Sequence, residues 1–150
     1  MLRDPNLVPY SHQHQHALAL CVRIQQGMNS GSPTLIAYCA GIQAAFEEEI
    51  QLHFEAEEMF LFPAAEAHPV LRRLVSELTA EHTTLRAYYL AAVARAMSKS
   101  DLLDFAATLS DHIRKEERLL FEECQRIMSE DELSRIGQET LEFMNRKQQQ

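Results

Sequence analysis

His53 and Glu57 stand one helical turn apart in HFEAEEMFLF, residues 53–62, and the arrangement returns as His112 and Glu116 in HIRKEERLLF, residues 112–121. At a four-residue spacing an imidazole and a carboxylate share one helix face and can hold the same cation. Both pairs interrupt apolar seams. The first reads Cys39, Ile42, Phe46, Ile50, His53, Glu57, Phe60 and Ala64, and the second Leu102, Phe105, Leu109, His112, Glu116, Leu119 and Glu123. A carboxylate among apolar groups is costly unless something neutralises it, so the repeat points to a cation inside a helical protein.

Two further seams each carry a histidine. One runs His14, Leu18, Cys21, Met28, the other Leu71, Leu74, Leu78, His82, Leu85, Tyr89. In an antiparallel pair, residues at one level are equally far from the connecting turn. The midpoint of 53 and 82 falls in a predicted turn at 66–69, that of 82 and 112 at the edge of one at 98–100, and that of 14 and 53 just past one near 31. All four histidines are therefore expected at one height, with the two glutamates between them. Such a nitrogen and oxygen set suits iron, with zinc or manganese as alternatives, and two carboxylates able to bridge suggest two ions.

The elements that must carry these residues follow from the breakers. No stretch alternates long enough for a strand, while apolar residues recur at three and four throughout. The first helix is expected from a Ser11 cap to about Met28. The second runs from Ser32 as cap and Pro33 to about Ala65, with Pro63 kinking or ending it; the third spans about Pro69 to Met97. The fourth starts near Ser100, with Asp101 and Asp104 at its positive end, and reaches about Met128. Ser129 and Glu132 form a capping box that opens a tail helix over 130–146. Long helices with short loops fold back on one another, so the expected fold is all-α: an antiparallel up-down-up-down four-helix bundle over about 11–128, within one domain of residues 1–150.

With SHQHQHALAL before them and EHTTLR between them, the two repeated segments resemble the hemerythrin-like HHE cation-binding family over residues of about 8–128. The resemblance implies a non-haem di-iron centre in a four-helix bundle, with ligands at His14, His53, Glu57, His82, His112 and Glu116. Oxygen-carrying hemerythrins have a fifth histidine one turn before the position of His82, where this chain has Leu78. His12, His16 and Glu49 are candidates to replace it. Those proteins also place an aspartate five residues after the last histidine, the position of Glu117; Glu116 is preferred because its spacing repeats that of His53 and Glu57. Glu58 and Glu117 rotate off the seam, to a solvated face or to hydrogen bonds with ligand histidines. His68 is expected at the surface, Tyr89 in the core, and Met59, Phe60 and Phe62 in packing.

Composition narrows the partners. A net charge of -8 argues against nucleic acid and anionic membranes, and no run is long and apolar enough to span a bilayer. The first 20 residues do not read as a signal peptide, so a cytoplasmic setting is expected. Cys21, Cys39 and Cys124, odd in number and set in apolar pattern, are expected as buried thiols. Three functions are consistent with these features. One is a di-iron protein that binds dioxygen or nitric oxide or reacts with peroxide, in sensing or in iron and oxygen handling. The others are a structural module with a single zinc or iron and no oxygen chemistry, and a redox enzyme. A sensing output would pass through a partner protein or a homodimer.

Overall fold

The computed structural model describes residues 1–30 and 34–150. Every regular element in them is helical. Helix α1 is Val8–Ser30, α2 covers residues 35–66, a short 3-10 turn at Pro69–Leu71 leads into α3, Arg72–Val93, α4 covers residues 99–127, and α5 is Glu130–Gln148. The first four form the expected bundle, and α5 is the extra helix. The expected Ser32 cap and Pro33 first turn lie outside the described residues.

Two boundaries differ from expectation. Helix α1 begins before Ser11, because Asp4 folds back on Asn6 and its carbonyl accepts from Leu7 and Val8; Ser11 faces a carboxylate from inside the helix. Helix α3 stops at Val93 rather than near 97. Its last carbonyls are closed by Ala96 N–H on Ala91 and Arg95 N–H on Ala92, with Arg95 in the left-handed region at φ 56°. The Arg95 guanidinium, on Ala92 O and Gln43 Oε1, holds that conformation in place of the usual glycine. Helix α4 starts at Lys99, beside the expected Ser100, in a capping box of Ser98 with Asp101, and the Ser129 and Glu132 box forms as the sequence predicts.

Both metal-motif helices contain π-turns. In α2 they occupy Phe46–Ile50 and Glu57–Leu61, in α4 Glu116–Leu120, so the carbonyls of Glu57 and Glu116 accept from residues five on, Phe62 and Phe121. Each π-turn adds a residue to the turn and advances the inward face by one position. This corrects the seams read from the sequence. Leu61 and Ala65 are buried in place of Phe60 and Ala64, and Leu120 and Cys124 in place of Leu119 and Glu123. Leu119 and Met59 are each 52% exposed, so Met59 is not packing either.

The apolar interior is divided. One cluster, including Ile24, Ile42, Phe46, Leu102 and Phe105, fills one end of the bundle, and another, with Leu7, Tyr10, Leu61, Leu71 and Phe121, fills the other end. Helix α5 covers this second cluster with Leu133, Ile136 and Phe143, and Tyr10 Oη meets Thr140 Oγ1 at 2.6 Å. All three cysteines are buried and free; burial pushes the Cys21 thiol up to about 11 and that of Cys124 up to about 12. Native protein should therefore leave its three thiols unlabelled by Ellman's reagent and release them only in guanidinium. Fast native labelling of any one would show that its wall of the bundle opens.

Candidate metal centre

Between the two clusters lies a polar layer. Helix α1 brings His14, α2 His53 and Glu57, α3 His82 and α4 His112 and Glu116, all within 5% of full burial. They form two groups of four, His14, His53, Glu57 and Glu116, and Glu57, His82, His112 and Glu116; within each group the donor atoms lie within 4.8 Å of one another. The two carboxylates belong to both groups. His53 Nε2 is 2.8 Å and His82 Nε2 3.6 Å from Glu57 Oε1, and His112 Nε2 is 2.7 Å and His14 Nε2 3.5 Å from Glu116 Oε1.

The outer ring nitrogens decide what the inner ones can do. His14 Nδ1 is 3.0 Å from Glu117 Oε1, His53 Nδ1 2.7 Å from Gln13 Oε1, His82 Nδ1 2.7 Å from Glu58 Oε2 and His112 Nδ1 2.8 Å from Glu81 Oε1. Each partner atom is an acceptor, so each Nδ1 donates and each Nε2 lone pair points into the layer. The acceptors are themselves anchored. Arg86 grips both oxygens of Glu58, Lys115 binds Glu81, and Arg3 and Ser11 bind Glu117. Aromatic faces fix the rings as well, Phe54 stacking on His82 at 3.8 Å and Phe121 on His14 at 5.6 Å.

Inside the layer the polar atoms are unsatisfied. Nε2 of His14, His82 and His112 and all four oxygens of Glu57 and Glu116 are buried without a hydrogen-bond partner. Lone pairs of nitrogen and oxygen thus face each other at 2.7–3.6 Å. That spacing matches the edge of a coordination shell, since two bonds of about 2.1 Å at right angles put their ligand atoms about 3 Å apart. The residues present fit the binding of metal cations, with Glu57 and Glu116 common to both donor groups. Burial drives His53 and His112 below the ordinary imidazole range, toward the neutral ligand form. Burial also resists charge on Glu57, yet His53 and His82 outweigh it and hold the carboxyl below its usual range. His82 differs: burial opposes its protonation, but Glu57 and Glu58 outweigh burial and shift it above the ordinary value.

The six residues singled out in the sequence are the ones brought together. Glu117 does not reach the layer, and Glu58 and Glu117 each hold a ring nitrogen. Among the described residues no substitute for the fifth histidine joins either group: Leu78 is buried, His16 pairs with Glu49, which borders the layer without entering it, and His12 lies edge-on to His16. Tyr89 stacks on Phe46 and donates to Glu47, and His68 pairs with Glu132. A small cavity of about 10 Å³, room for one water-sized molecule, opens beside His14, His53, His112 and Glu116. Gln13 and Glu81 are the partners missed from the sequence. A shared pattern could have found them, for every Nδ1 acceptor is the chain neighbour of a layer residue on another helix.

The hemerythrin HHE cation binding domain profile matches residues 10–124, and the chain belongs to that family. Neither the curated proteins nor the solved structures contain a match. The family and the buried histidine and glutamate cluster together support metal binding. No helix among the described residues is long and apolar enough to cross a membrane.

Proposed function

We propose that this chain is a non-haem di-iron protein, with His14 and His53 on one iron, His82 and His112 on the other, and Glu57 and Glu116 bridging both. The observation that carries the reading is the pair of buried carboxylates common to two histidine pairs, with every inward-facing oxygen lacking a protein partner. Iron so held supplies reversible binding or reduction of dioxygen, nitric oxide or peroxide. The protein's share is to favour the neutral form of His53 and His112, orient the four rings through Nδ1, and surround the layer with Phe54, Phe62 and Phe121 so that bulk water stays out.

Two imidazoles per ion leave coordination positions that the chain does not fill, which favours sensing or iron and oxygen handling over a histidine-rich reversible carrier. Three buried free thiols agree with a reducing, cytoplasmic setting. The test is metal analysis of untagged protein with its optical spectrum. Two irons per chain and a near-ultraviolet absorption that bleaches on anaerobic reduction and returns in air are expected. One silent zinc would replace this reading with a structural module. His53→Ala should lower iron content, since it deletes a donor; unchanged stoichiometry would remove His53 from the centre.

A further inference from the structure

Helices α1 and α2 carry a second set of donors that the polar layer does not use. His12 and His16 stand one turn apart with ring centroids 5.0 Å from each other, the spacing at which two helical imidazoles can share an ion. His16 Nδ1 lies 3.0 and 3.2 Å from the two oxygens of Glu49. The trio is accessible, His16 with 59% and Glu49 with 31% of its side chain exposed.

Glu49 also stands where two spaces meet. It lines the small cavity against His14, His53, His112 and Glu116, and it lines an outer cleft of about 260 Å³ with His16 and Glu48. Ala17 and Ile50 also border both spaces, so the cleft and the small cavity share one wall. Arg23 is the cleft's single permanent cation, against two carboxylates. A surface His and Glu pair acting only as a clasp between helices contributes about 0–1 kcal/mol. That role leaves unexplained why Glu49 borders the inner cavity as well.

We propose that His12, His16 and Glu49 form an outer, weaker site for a divalent cation, and that Glu49 passes the ion inward to the centre. The inference rests on the dinuclear reading above. Imidazole and carboxylate donors suit borderline ions such as ferrous iron, cobalt or zinc. The donors that already converge within 4.8 Å are those of the two groups of the centre; the outer trio is more open, so an ion there would be held once its exposed side chains turn toward it.

Anaerobic titration of the metal-free full-length protein with cobalt(II) tests this. Wild type should take a third cobalt more weakly than the first two, with paramagnetic shifts at the His12 and His16 imidazoles. The double variant His12→Ala, His16→Ala should bind two cobalts only. Its centre should reach the same final content but fill about tenfold more slowly, the low end of what a charged mouth gives an on-rate. Glu49→Gln should keep the histidine shifts and lose the fast filling. Absence of a third cobalt in wild type, or equal filling rates in all three proteins, overturns the proposal. The dinuclear reading fails on a separate count, no cobalt at Glu57 and Glu116 in wild type; outer binding would still register while the handover falls.

Discussion

Replacing Glu57 and Glu116 together by glutamine should abolish two-iron binding while leaving the bundle folded. In the metal-free wild type these carboxylates set lone pairs against the lone pairs of His53 Nε2 at 2.8 Å and His112 Nε2 at 2.7 Å. An amide at position 57 or 116 is neutral and can donate to the same nitrogen, so the variant layer satisfies itself without a cation. Breaking a buried charge pair by removing one partner typically costs about 3–5 kcal/mol, but here the charge itself is removed and a donor replaces it. The metal-free variant should therefore melt no lower than metal-free wild type, with unchanged helical circular dichroism, and hold less than one iron per chain. Two tightly bound irons in the double variant would refute the bridging role of both glutamates.

The polar layer was legible in the sequence because charge in an apolar seam is conspicuous. His53, Glu57, His112 and Glu116 could be placed by helical period alone, and His14 and His82 joined them through their distance from the turns. Beyond each glutamate the reading slipped by one residue. A π-turn leaves no mark in composition: Phe60 and Ala64 fit a 3.6-residue period as well as Leu61 and Ala65 do, and only the carbonyls of Glu57 and Glu116 accepting five residues on decide between them. The slip has a consequence for the centre, since it brings Phe62 within 5.2 Å of the His82 ring and Phe121 within 5.6 Å of the His14 ring. Glu81 and Gln13 were hidden for another reason. Each sits one residue before a layer histidine, half-buried on the flank of its helix, and serves a ring on the neighbouring helix, a relation that exists only once the helices are packed.

Stripping the metal should cost the protein more stability than any single core truncation. Seven buried nitrogen and oxygen atoms are then left without partners, all in the layer that separates the two apolar clusters. A ligand present at a thousand times its Kd stabilises the folded chain by about 4 kcal/mol per site, so two ions contribute about 8 kcal/mol. For a chain of 150 residues, at about 2–4 °C per kcal/mol, chelation should lower Tm by roughly 20 °C. The loss should be local before it is global. Amides at the level of His14, His53, His82 and His112 should exchange faster after chelation, while those around Leu133 and Ile136 on α5, a helix that contributes no residue to the layer, stay protected. Calorimetry with and without chelator, followed by hydrogen exchange, measures both. A shift of less than about 5 °C, with uniform exchange, would mean that the imidazoles and carboxylates satisfy one another without ions and that the layer is a structural polar network.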